Sequence, residues 1–315
     1  MKIMLEKGGK FIMLKSFKKS MIILFSCVSV SILASAATPN VTPKKSSEYL
    51  SQSSRALSSP YSTVADVVIS GNLATVKETG QPFTGTYVEF SENGNAQAVR
   101  NYQNGTLNGP MFLYYGNGNI QKVVNYVNGV KNGEDIDFYG NGNSKVLKNY
   151  QNGLLNGKSY EFDEFGRLTA SLEYVNNAKN GKELKFSNGV VTNENTYANG
   201  QLNGEAKSYY SNGNLRSNGN YSRNFRNGQW TWNYENGSKK LIETYQNGLV
   251  TEILGYSRNG GKEREMKLVN GNGNFTQYYD NGKVKVQGAL RNYKAYGNWS
   301  FYNKDGYLTD TQGFY

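Results

Sequence analysis

The sequence predicts an all-β protein, an elongated antiparallel array of β-hairpins laid side by side in a single-sheet solenoid. Three observations predict it. Glycines recur in phase: Gly85, Gly109, Gly133, Gly157 and Gly181 each open a unit of 24 residues, Gly204 and Gly228 continue after a one-residue deletion, and Gly273 and Gly297 are again 24 apart. Aromatic residues keep that phase, with Phe90, Tyr114, Phe138, Phe162, Phe186, Tyr209, Tyr278 and Tyr302 five places after an opening glycine. Near the end of the units stand Tyr102, Tyr126, Tyr150, Tyr174, Tyr197, Tyr221 and Tyr245. Third, Asn-Gly pairs fall between these positions. Self-similarity at a fixed period is the signature of a repeat architecture.

Each unit reads as one hairpin. Asn-Gly favours a type I′ turn, in which both central residues need positive φ. The pairs at Asn93, Asn117, Asn141, Asn188, Asn212, Asn236 and Asn281 are therefore expected to be type I′ hairpin tips. Those at Asn104, Asn128, Asn152, Asn199 and Asn247 turn the chain into the next unit. The runs between them are short, aromatic and β-branched, as strands are. A lone hairpin is marginal in water, so the units must stack on their neighbours. Eight or nine units, each adding roughly 10 Å, would give a twisted ribbon on the order of 80–90 Å long. The phase is lost over residues 249–272, where no glycine stands at Glu252.

Residues 1–36 carry an export signature. Lys15, Lys18 and Lys19 form a basic start, residues 21–33 are apolar but short for a membrane span, and Ala34-Ser35-Ala36 fits a cleavage site. The segment predicts a secretory signal peptide read by the Sec pathway, delivering the chain to the periplasm, the cell surface or the medium. Met13 is an alternative start, and Leu24-Phe25-Ser26-Cys27 loosely resembles a lipoprotein processing box. Residues 37–63 are Ser-, Thr-, Lys- and Pro-rich, and predict a disordered linker in preference to a weak helix at 46–57. Residues 64–84, with Val67-Val68-Ile69 and Leu73-Ala74-Thr75-Val76 around Ser70-Gly71-Asn72, predict a capping hairpin, and 85–315 the repeats.

The chain has one cysteine, Cys27, and no histidine. Past residue 36 this excludes disulfides, Cys or His nucleophiles, the Ser–His–Asp triad and nearly all zinc chemistry. The net charge is +11, of which six lysines and Glu6 lie before residue 37, leaving about +6 spread thinly over the rest. A surplus of this sign suits acidic proteins, anionic lipid or glycan. Nucleic acid is not expected as a partner, since the basic residues do not cluster.

At Tyr114-Tyr115-Gly116-Asn117-Gly118 and Tyr209-Tyr210-Ser211-Asn212-Gly213 the pattern resembles the bacterial variant of the MORN repeat, in chains often grouped with the YwqK-type antitoxin family. Pro82-Phe83-Thr84-Gly85 resembles the usual entry to a first unit. The resemblance runs from about Gln81 onward. It implies an elongated antiparallel β structure used for binding and scaffolding, with no catalytic residues and no cofactor. The glycine-rich pieces Gly140-Asn141-Gly142 and Asn270-Gly271-Asn272-Gly273 lack the helix and Lys-Ser/Thr of a phosphate loop, and read as turns. MORN repeats also accompany lipid-kinase domains, but no kinase motif set is present. The end Gly313-Phe314-Tyr315 is a solenoid strand, because the strands are too short and polar for a membrane barrel.

One strand stands out as a candidate site. Trp230-Thr231-Trp232-Asn233-Tyr234 alternates so that three rings are expected on one face, as a binding platform or as core. Asn233 stands at the usual aromatic position, which suggests a phase shift that flips the faces. The expected function is that of a non-enzymatic exported repeat protein, a protein-binding scaffold of the bacterial envelope. Alternatives are an antitoxin or immunity protein that neutralises a partner toxin, and a surface protein that binds membrane lipid or glycan.

Overall fold

The computed structural model describes residues 4–7, 10–13, 39 and 41–315. The chain divides into two units, Met1–Ala34 and Ser35–Tyr315. In the first, Met4–Lys7 pairs antiparallel with Lys10–Met13. The apolar run, the cleavage site and Cys27 lie outside the described residues.

The second unit is one long sheet of 26 strands, antiparallel except for one short contact at its start. The sheet is open: Leu308–Phe314 pairs with Lys294–Tyr302 and with no other described strand. From Gly85 on, the strands form ten consecutive hairpins, more than the eight or nine that counting glycines suggests. The hairpin over 249–272 is regular, with Leu249–Tyr256 against Lys262–Val269. Its opening place is taken by Thr251, six residues before Ser257, whose N–H bonds to Gly261 O as the tip tyrosines bond elsewhere.

The two fixed positions of the repeat are a cross-strand pair. Gly85 faces Tyr102, Gly109 faces Tyr126, Gly133 faces Tyr150 and Gly157 faces Tyr174. Gly181 faces Tyr197, Gly204 faces Tyr221 and Gly228 faces Tyr245. In the last two units Gly273 faces Leu290 and Gly297 faces Phe314. Gly109 has φ +100°, which a residue with Cβ rarely adopts, so this place demands glycine for its backbone.

The two kinds of Asn-Gly turn differ. At the turns between units Asn104, Asn128, Asn152, Asn199 and Asn247 have φ near +50° and their glycines near +80°, the type I′ turn expected. At the tips only the glycine is left-handed. In Tyr115–Asn119 the Gly118 N–H bonds to Tyr115 O and the Tyr115 N–H to Asn119 O, a three-residue loop closed by a left-handed glycine. Asn117 stays right-handed because its Oδ1 accepts the Asn119 N–H at 3.0 Å. Asn141, Asn212 and Asn281 do the same. The type I′ reading of the tips is therefore corrected, except at Asn188-Gly189, where φ is +50° and +78°. There Ser187 pairs with Val190 across a two-residue loop, which accounts for the deletion before Gly204.

Both long edges of the ribbon are stitched from one unit to the next. At the tips Tyr115, Tyr139, Tyr210, Tyr234 and Tyr279 each donate a hydroxyl hydrogen bond to a backbone carbonyl of the following hairpin, at 2.6–3.0 Å. Asn119, Asn143 and Asn214 add amide bonds to the next tip. At the opposite edge the Gly129, Gly153 and Gly200 N–H groups bond to Leu107, Lys131 and Lys179 carbonyls of the preceding turn.

The N-terminal units are covered by chain that precedes them. Where a disordered linker is expected, Ser46–Tyr49 forms a 3-10 turn and Leu50–Ser58 an α-helix. Tertiary contact overrides the poor composition. Tyr49 packs edge-on to Phe138, and its hydroxyl donates to Glu134 Oε2 at 2.9 Å. Lys44 reaches Glu134 Oε1 at 2.6 Å, Ser46 N–H bonds to Gly142 O, and Lys45 Nζ bonds to Asn143. The core beneath holds Val88, Val99, Phe112, Ile120, Val123, Ile136 and Phe138, all at most 1% exposed. On the other face the hairpin Val67–Ser70 and Leu73–Val76 buries Val67 and Ala74 against Phe83, Tyr87, Tyr102 and Leu107. Tyr61–Ser62 pairs in parallel with Thr86 and Tyr87, covering the outer edge of the first repeat strand.

Burial, with the bond to Glu134, pushes the Tyr49 phenol up to about 12 from an ordinary value of 10.0. A raised folded pKa favours the neutral form, so this stabilisation is fully present below about pH 10 and is lost as pH rises toward 12. In a spectrophotometric titration, wild type minus Tyr49→Phe is expected to show one tyrosine ionising near pH 12. A difference curve centred at pH 10 would mean that the helix does not hold Tyr49 as described.

Candidate binding surfaces

Strand pairing assigns every side chain to one of two faces. The first face holds Val88, Phe112, Ile136, Tyr160 and Leu184, the third residue after each opening glycine. The second face holds the unit-end tyrosines and the residues two and four places after the glycine. In the N-terminal units the first face is apolar; the second buries Tyr87, Ala98, Tyr102 and Val124 in the first two units and is polar further on, at Asp135, Asp137, Glu161 and Glu183. On the second face Asp135, 3% exposed, sits 2.8 Å from Lys122 Nζ and 2.5 Å from Lys131 Nζ. Further along the same face, burial opposes ionisation of Glu183, but hydrogen bonds from Asn195 and Lys179 hold its carboxyl below the usual range.

Toward the C-terminus the two faces exchange character while the strand register is kept. The third places become Lys207, Thr231, Thr276 and Ser300. The second places become Ala206, Trp230, Phe275 and Trp299. Ile242 and Leu254 remain apolar on the first face, so the exchange is one of balance. Tyr209, on the first face beside Leu184 and Phe186, has its hydroxyl pushed upward by burial and by its 2.6 Å bond to Glu194.

Trp230 is 4% exposed and lies edge-on to Tyr221, with its Nε1–H donating to Asn220 O at 3.0 Å. A Cβ on Gly219 would come within 2.2 Å of its ring, so the indole fills the space that glycine leaves. Trp299 repeats the device over Gly288, donating to Ala289 O at 3.0 Å. Trp232 is partly exposed on the same face, 5.8 Å from Trp230. Arg226 lies over both indoles and over Tyr245, whose hydroxyl accepts its Nη1–H at 2.9 Å.

Tyr234 does not join these rings. It stands outside the strand, donates to Tyr256 O, and lies beneath Lys240 and Arg258. The expected phase shift at Asn233 is also absent: Asn233 pairs with Lys239 as Phe138 pairs with Ser144. The strand bulges between Trp232 and Asn233, as the others do at this place, and so absorbs the one-residue offset. Sequence reasoning followed the aromatic five places after the glycine and missed the tyrosine at the sixth, although Tyr115, Tyr139, Tyr210 and Tyr279 recur in phase.

The charge is not spread thinly. Residues 37–200 hold 14 Lys and Arg against 14 Asp and Glu, whereas 201–315 hold 15 against 9. In that C-terminal part Lys207, Lys239, Lys262, Lys267, Arg291 and Lys294 fall on the first face against Glu205, Glu252 and Glu265, a surplus of three, with Glu205 and Glu265 ion-paired to Lys207 and Lys262. The second face carries Arg226 and Arg264 against Glu243 and Asp310, and is balanced. No helix among the described residues is long and apolar enough to cross a membrane, and no group of three or more His, Cys, Asp or Glu could hold a metal ion there.

Fold and faces together define a tandem β-hairpin repeat protein. Four stretches of it, residues 107–128, 202–223, 226–247 and 272–292, match the MORN repeat variant. No curated protein matches the chain. Among solved structures, the Photorhabdus luminescens Tc holotoxin pore aligns at 13% identity over 76% of this chain and 14% of the other, with a TM-score of 0.18. The TcdB2–TccC3 crystal structure without its hypervariable C-terminal region aligns at 12% identity over 76% and 16%, with a TM-score of 0.19. The chain thus spans a small part of those proteins.

Proposed function

We propose that this is a non-enzymatic, exported scaffold of the bacterial envelope, whose C-terminal units hold an acidic protein partner on their cationic face. The segregation of charge carries the reading: the surplus lies in residues 201–315 and on the face opposite the tryptophans. Lysines alternating with Tyr209, Tyr278 and Tyr302 on a rigid sheet offer charge for steering and aromatic area at low entropic cost. The export signature of residues 1–36 supports the exported part of this reading.

The test is crosslinked capture from intact envelopes with tagged protein, followed by mass spectrometry. One acidic protein held in stoichiometric amount is expected, with recovery reduced at least tenfold when Lys207, Lys239, Lys262 and Lys267 are changed together to Gln. A toxin as that protein would make the chain an immunity protein. Recovery of only anionic lipid or glycan, or capture unchanged by the four substitutions, would overturn the reading. So would substrate turnover abolished by a single substitution.

A further inference from the structure

The exchange of faces leaves one apolar surface bare. In the N-terminal units the apolar face is buried by the helix Leu50–Ser58 and the segment before it. In the C-terminal units the apolar face is the second one, and no described segment crosses it. Trp232, Ile253, Met266, Phe275, Trp299 and Phe301 line it, each partly exposed. Pairing links four of them, since Ile253 faces Met266, Met266 faces Phe275, and Trp299 stacks on Phe275 at 5.7 Å, while Glu243, Arg264 and Gln277 stand among the six on the same face.

We propose that this surface is where a second copy of the chain docks, the two sheets packing face to face through the same apolar stripe. Size argues for a sheet as the occupant. The face that carries the stripe spans the eight strands from Phe225–Asn233 to Leu308–Phe314, and includes Arg226, Glu243, Arg264 and Asp310. At about 4.8 Å per strand and about 17 Å for five residues of strand length, its footprint is roughly 650 Å², of the order of the ~800 Å² per partner in a standard interface. A nine-residue helix like the chain's own is only about 14 Å long and would cover less than half of it. Shape argues for the same sheet. Strands rotate by roughly 20–25° one to the next, so a flat surface parts from the stripe within a few strands, whereas an identical ribbon has the same twist. Charge argues against an anionic partner here. The second face is balanced, and the surplus points away from it, so two copies meet without net repulsion while their cationic faces look outward.

Sedimentation of the chain as processed by its expressing host tests this. A dimer is expected at micromolar concentration, with tryptophan emission shifting to the blue as it forms, because Trp232 and Trp299 lose water. Met266→Glu and Phe275→Glu are expected to weaken association at least 100-fold. Thr276→Glu, on the opposite face of the same strand, should leave it unchanged and controls for folding. A wild-type chain that stays monomeric at 100 µM overturns the proposal, and so does a dimer that survives both second-face substitutions. A monomer whose emission shifts only on adding anionic vesicles also overturns it, in favour of lipid.

Discussion

Phe112→Ala is expected to unfold the N-terminal units and leave the C-terminal ones standing. Phe112 is 0% exposed and lies among Val99, Val123, Ile136 and Tyr49. Removing a buried phenylalanine costs about 3–5 kcal/mol, because the cavity collapses only in part. In a repeat array this loss is borne by the unit and its neighbours, since each hairpin touches little else. The helix Leu50–Ser58 should come away with it, because Tyr49 packs on the same cluster. Hydrogen exchange read by mass spectrometry is expected to show protection lost over residues 46–62 and 85–150 and kept over 225–302. Uniform loss along the chain would mean that the ribbon melts as a single cooperative body.

Gly219→Ala and Gly288→Ala are the other substitutions with large expected effects. The added methyl would stand 2.2 Å from the Trp230 ring in the first and 2.3 Å from the Trp299 ring in the second. Backbone cannot yield here without breaking strand pairs, so the indole must move. Overpacking of about 1–3 kcal/mol then adds to the loss of the Nε1–H bond, worth about 1 kcal/mol, for a total of about 2–4 kcal/mol. Thermal melting should fall accordingly, and tryptophan emission should shift to the red. Gly116→Ala is the control: its Cβ would meet nothing within 4 Å and its φ is not left-handed, so a change within about 0.5 kcal/mol is expected. Equal effects at Gly116 and Gly219 would show that glycine serves the turns and strands generally and that the indoles are not seated as described.

Much of this fold could be read from the sequence because its determinants are local. The turn at Asn128-Gly129 needs two left-handed residues, and the place of Gly109 needs φ +100°, whatever the rest of the chain does. Where the reading failed, the decisive contact was distant. Residues 46–58 are too polar to fold alone, yet Tyr49 finds Phe138 and Glu134 some 85 to 90 residues on. At the tips Asn117 has the residues of a type I′ turn but adopts another, because its side chain can bond two residues ahead inside a three-residue loop. The candidate site was legible in part. The alternation of Trp230 and Trp232 is local, whereas the place of Tyr234 depends on a strand bulge and on the Tyr256 carbonyl of the next hairpin.

The spacing of glycine, asparagine and tyrosine settles the hairpin, its repetition and its neighbour-to-neighbour stacking, since each follows from backbone preferences within a few residues. Which face is covered, and by what, depends on pairing across strands. Val88, Phe112 and Ile136 point one way and Trp230, Phe275 and Trp299 the other, a shift of one residue that has no meaning along the chain and reverses the side of the sheet once the strands are paired. From that reversal come the buried N-terminal face, the bare C-terminal one and the cationic surface behind it.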